Sequence, residues 1–95
     1  MDETTGGVTV RFDHGKTTWV IPEDLLRLQQ AWDAAHAAAE RAARDGDDGA
    51  WNLARAKRLE LTLELDRHPW LRAAMAAGQR FQADQALKAC AREPR

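Results

Sequence analysis

Along VTVRF, the apolar residues Val8, Val10 and Phe12 alternate with Thr9 and Arg11. A period of two with β-branched residues predicts a strand. TTWVI at 17–21 is again β-branched and aromatic. Between them lies Asp13-His14-Gly15-Lys16, where Gly15 can supply the positive φ of a tight turn. The two segments predict a β-hairpin over 8–21. An isolated hairpin is marginal in water, so this one must lean on helices or pair with another strand. Residues 1–6 carry no apolar anchor and are expected to be loose.

The period then changes. Pro22 closes the second strand, and Glu23-Asp24 suit the positive N-terminus of a helix. Leu25, Leu28, Trp32, Ala35, Ala39 and Ala42 follow at helical spacing and line one stripe. The spacing predicts a helix over 23–45, closed by Gly46. A second helix is predicted over 50–66. It has two apolar faces: Trp51, Ala54, Leu61 and Leu65 on one, Ala56, Leu59 and Leu63 on another. His68-Pro69 breaks the chain, and Pro69 suits the first position of a third helix over 69–92. Trp70, Ala74, Ala77 and Phe81 would share a face of it. Gly78 either sits at a close helix crossing or divides the segment in two. Small side chains at Ala35, Ala39, Ala74 and Gly78 predict a close crossing of the first and third helices. The expected fold is mainly α: an N-terminal β-hairpin followed by a three-helix antiparallel arrangement.

Composition sharpens this picture. The chain has 95 residues, the size of one domain over 1–95. Of its 42 apolar residues, 19 are Ala, which bury little area each. A helix with two apolar faces then has more to bury than one neighbour can cover. Ala56, Leu59 and Leu63 are therefore the expected interface, with a second copy of the chain or another protein as partner. The four Trp residues, at 19, 32, 51 and 70, are expected to converge into one aromatic core.

Candidate chemistry is sparse. His14, His36 and His68 show no metal-ligand spacing, and one Cys excludes an intramolecular disulfide or a Cys cluster. Cys90 sits between Ala89 and Ala91 and reads as a small buried residue. Asp13-His14 is better explained as turn chemistry than as an acid–base pair. The chain has no Ser, so a Ser nucleophile is excluded. Asp45, Asp47 and Asp48 resemble a calcium loop, but Ala56 stands where the closing Glu would be. No glycine-rich phosphate loop occurs. The expectation is a non-enzymatic protein with no cofactor and no bound metal. No apolar run is long enough to span a bilayer, and the start of the chain is acidic and polar. Together with the single Cys, this predicts a cytoplasmic location, and the Ala and Arg excess suggests a bacterium of high GC content.

Charge keeps one alternative open. Residues 1–50 hold five Lys/Arg against ten Asp/Glu, and residues 51–95 hold nine against five. Either the halves pack together or the basic half meets nucleic acid. Ala74, Gly78 and Leu87 have spacings compatible with a weak helix-turn-helix in 69–92. Its second helix would present Arg80, Gln82, Gln85 and Lys88. Asp84 and Gln79 depart from the usual apolar positions of that motif. The primary reading is a homodimeric protein–protein interaction module. The alternative is a dimeric DNA-binding regulator.

Overall fold

A computed structural model describes residues 8–93. The expectation for residues 1–6 lies outside the described residues. Two antiparallel strands, β1 (Thr9–His14) and β2 (Thr17–Pro22), form the hairpin. His14 pairs with Thr17 across Gly15 and Lys16, and Gly15 takes φ 66° as its turn requires. Alternation puts Val10, Phe12, Trp19 and Ile21 on the helix-facing side, with Ile21 fully buried. Arg11, Asp13, Thr18 and Val20 face outward and are exposed.

Helix α1 (Glu23–Asp45) starts directly from the strand. Pro22 is its N-cap, and Glu23 and Asp24 lie in its first turn. Gly46 ends it in the left-handed conformation at φ 70°. Helix α2 (Asp48–Arg67) starts two residues earlier than its apolar pattern implies. The cause is a cap: Asp47 Oδ1 accepts from the Ala50 N–H at 3.0 Å. Asp47 thus has a structural task in the acidic loop.

The expected third helix is two helices. Helix α3 (Pro69–Ala76) and helix α4 (Arg80–Arg92) are separated by Ala77-Gly78-Gln79. Gly78 takes φ 73°, which turns the chain out of the helix. The Gly78 N–H donates to the Met75 carbonyl at 3.0 Å, and the Gln79 N–H to that of Ala74 at 2.8 Å. The last carbonyls of α3 are therefore satisfied and the break is complete. Four helices follow the hairpin rather than three.

The break also moves Phe81. It does not share the inner face of Trp70 and Ala74 but stands 72% exposed at the start of α4. The predicted crossing at Gly78 is absent as well. A Cβ added there meets nothing within 4 Å, so backbone conformation and not close approach selects glycine. Ala35, Ala39 and Ala42 are buried on α1, whose main packing partner is α2.

The main core lies where α1 begins and α2 ends. Ile21, Leu25, Leu26, Leu65, Leu71, Leu87 and Cys90 converge there from the hairpin and all four helices. Away from this base, α1 and α2 run on as an antiparallel arm, and the molecule spans 44 × 33 × 29 Å. The Trp residues do not meet in one cluster. Trp19 and Trp70 pack edge to face at 5.9 Å, while Trp32 stacks on His36 at 5.1 Å. Trp51 lies under Arg55 on the arm, 5.3 Å from its guanidinium carbon. Trp19, Trp32 and Trp70 all pack against the main core without stacking into one ring cluster, and Trp51 stands on the arm.

Candidate interaction surfaces

Helix α2 positions the first surface. Its Leu61 and Leu65 are buried, with Trp51 and Ala54 half-buried beside them. A quarter to half turn away stand Leu53 (76% exposed), Leu59 (62%) and Leu63 (46%), with Ala56 exposed among them. The expected interface residues Ala56, Leu59 and Leu63 thus lie together on the outer face of α2. Leu53 extends the stripe by one turn. Its position three before Ala56 and ten before Leu63 was the available signal. A groove of about 330 Å³ runs beside this stripe, lined by Asn52, Arg55, Ala56, Arg58, Leu59 and Thr62.

The second feature is polar and ties the two arm helices together. Trp32 Nε1 donates to Thr62 Oγ1 at 2.8 Å, and Thr62 Oγ1 donates to the Arg58 carbonyl at 2.9 Å. Arg58 donates to His36 Nδ1 at 2.8 Å. That bond leaves the other ring nitrogen, Nε2, facing Glu40 at 3.6 Å. His36 is therefore a bridge between helices, its ring flat on Trp32. Deeper in, Gln29 is 1% exposed, and its amide nitrogen donates to Asp33 Oδ1 at 3.1 Å. The sequence pattern did not single out Gln29, because a polar residue at a helical core position carries no distinguishing spacing.

His68 has a local role too. Its Nδ1 accepts from the Trp70 N–H at 3.2 Å, capping α3, and its Nε2 lies 3.0 Å from Asp24 Oδ2. This pins the start of α3 to the start of α1. His14 sits at the hairpin tip with its ring stacked on Phe12 at 6.1 Å. The three His residues are in three separate places. Among the described residues no group of three His, Cys, Asp or Glu could hold a metal ion. Cys90 is fully buried in the core. No helix among the described residues is long and apolar enough to cross a membrane.

The third surface is the α3–α4 end. Gln82 and Gln85 are exposed on α4, Gln85 opposite buried Ala83, Leu87 and Cys90 and Gln82 at the edge of the buried face beside Ala86. Arg80 and Lys88 are engaged: Arg80 pairs with Asp66 at 2.9 Å and Lys88 with Asp84 at 3.0 Å. Asp84 does not need to pack inward, since Ala83, Ala86 and Leu87 fill that side. Beside α3, the hairpin closes a groove of about 370 Å³ whose lining includes Thr17, Val20, Trp70, Ala77 and Gln79. Trp70 Nε1 donates to the Val20 carbonyl at 2.9 Å and holds the hairpin there.

No protein-family model matches the chain, and comparison with curated proteins and with solved structures yields no match either.

Proposed function

We propose that the chain is a non-enzymatic protein–protein interaction module that forms a homodimer through the outer face of α2. One observation carries this reading. Leu53, Leu59 and Leu63 line up with Ala56 on a face of α2 turned away from its buried Leu61 and Leu65. Scattered exposed leucines are ordinary on a surface, but an aligned stripe of them marks a contact. Fully burying a Leu side chain is worth roughly 1.5–3 kcal/mol. A two-fold axis presents the same stripe from both copies, so one helix face supplies both halves of the interface. An antiparallel crossing near Leu59 and Leu63 sets each against the other residue of the second copy.

Sedimentation equilibrium tests the proposal. At tens of micromolar protein the expected mass is twice 10.6 kDa. Leu59→Glu and Leu63→Glu are expected to return it to that of one chain while leaving the helical circular dichroism unchanged. A single-chain mass for the unaltered protein overturns the dimer.

A further inference from the structure

We propose that the cleft beside Trp32, where all four helices meet, binds a small neutral heterocycle with an N–H donor, and that the side-chain oxygen of Gln29 accepts from it. This goes beyond the α2 dimer and rests on other residues. The cleft has a volume of about 200 Å³. Gln29 and Trp32 line it from α1, Leu65 from α2, Leu71 from α3, and Arg80 and Lys88 from α4. Gln29 is the one buried polar residue among the described residues, at 1% exposure. A buried amide oxygen that accepts no hydrogen bond is costly, and buried polar groups in folded proteins are almost always met by protein, water or ligand.

The protein itself does not meet this one. The amide nitrogen of Gln29 donates to Asp33 Oδ1 at 3.1 Å. That carboxylate oxygen accepts, so the amide's own oxygen is the end left over. Two donors on the cleft wall are already spent. The Trp32 Nε1–H goes to Thr62 Oγ1, and the Thr62 hydroxyl goes to the Arg58 carbonyl. Arg80 pairs with Asp66 and Lys88 with Asp84. No described residue donates to the Gln29 oxygen. Its partner therefore comes from the contents of the cleft that Gln29 lines.

Charge and size narrow the occupant. Asp66 and Asp84 stand against Arg80 and Lys88 in the lining, so the cleft is balanced and a neutral molecule complements it. An apolar cavity of about 150 Å³ admits benzene, so this cleft has room for one six-membered ring with small substituents. It is smaller than the pockets that hold drug-sized ligands. Leu65, Leu71 and the Trp32 indole offer apolar walls to a flat ring. Arg80 and Lys88 each keep N–H donors beyond those their carboxylates take, and these can serve a ring carbonyl. The matching chemistry is a pyrimidine-type lactam, with its N–H toward Gln29 and a carbonyl toward α4.

Uracil is the probe, titrated into the labelled full chain and followed by two-dimensional amide NMR. A saturable change with Kd on the order of 1 mM is expected, as suits a ligand of about eight heavy atoms. The shifts should concentrate at the Gln29 side-chain amide, the Trp32 indole, Leu71 and Arg80. Dimethyluracil methylated on both nitrogens keeps the ring and its carbonyls but has no N–H, and should bind about tenfold more weakly. Gln29→Met keeps the length of the side chain and removes the oxygen. It should weaken uracil by about tenfold, leave the helical circular dichroism unchanged, and bring the two rings to similar affinity. Should that variant fail to fold, the two rings on the unaltered chain still decide. Equal affinity of the two rings for the unaltered chain overturns the proposal, as does undiminished uracil binding by folded Gln29→Met. No saturable shift up to about 20 mM uracil overturns it as well, and leaves the Gln29 oxygen to water alone.

Discussion

At the base of the molecule, Leu25 and Leu26 of α1 and Leu65 of α2 meet Ile21, Leu71, Leu87 and Cys90. Toward Gly46 the same two helices are filled by Ala35, Ala39 and Ala42, with Trp51 and Ala54 half-buried opposite. The base gathers large side chains from six elements; the arm joins two helices through small ones. Alanine lets helices come close but removes little area from water, so hydrophobic burial is concentrated at the base. Polar links do part of the joining in between, through the Trp32–Thr62 bond and the Arg58–His36 bond. A fold so divided keeps its stability at one end and offers surface at the other. The proposed dimer interface lies on the outer face of α2, where Leu53, Leu59 and Leu63 stand exposed.

The largest expected effect falls on the base. Leu87 is fully buried, and Leu87→Ala is expected to cost about 2–5 kcal/mol through lost transfer energy and the cavity left behind. The equivalent truncation on the arm, Leu53→Ala, removes an exposed side chain and is expected to change monomer stability by no more than about 0.5 kcal/mol. Urea denaturation of both variants at low protein concentration reads the difference. Equal midpoints would erase the distinction between base and arm.

Overpacking the arm is expected to have an intermediate effect. Ala39 is almost fully buried between α1 and α2. Ala39→Leu inserts three carbons at a position with almost no free surface and is expected to cost roughly 1–3 kcal/mol. Ala37, two residues earlier, is exposed, and Ala37→Leu is expected to be near neutral. Thermal melts of the pair show whether the alanine stripe is a tight seam. If Ala39→Leu melts with the unaltered chain, the seam is loose.

Much of this division is legible in the residues themselves. The two-residue period of Val10 and Phe12 marks the hairpin, and Pro22 and Gly46 bracket α1 within a residue. The two faces of α2 are separable by spacing alone, and the structure buries Leu61 and Leu65 while exposing Leu59 and Leu63. What could not be read depends on distance through space or on a single backbone angle. Gly78 fits either a helix crossing or a helix end, and only its positive φ decides between them. Which helix the alanine stripe faces is a tertiary choice, since α2 and a helix over 69–92 offer similar small residues. Leu71 is fully buried, yet it carries no periodic signal in a helix of eight residues. On the candidate surfaces, spacing marks Leu59, Leu63, Gln82 and Gln85 as outward. It says nothing of the Asp66 and Asp84 carboxylates that engage Arg80 and Lys88.

The smallest expected effect sharpens the comparison at the turn between α3 and α4. At φ 73° an L side chain is strained, so Gly78→Ala is expected to cost about 1 kcal/mol, a fall of about 4–8 °C in melting temperature. The space around that position is open, with nothing within 4 Å of an added Cβ. Bulk should therefore add little, and Gly78→Leu is expected to melt close to Gly78→Ala. Gly78→Asn should recover part of the loss, because asparagine tolerates the left-handed region better than other side chains. This ordering is the opposite of what Ala39 would give, where cost grows with size. Three melting curves at position 78 thus separate a backbone requirement from a packing requirement. A steep rise in cost from Ala to Leu would mean that another helix does lie against Gly78, and that the base extends further along α3 than its buried residues indicate.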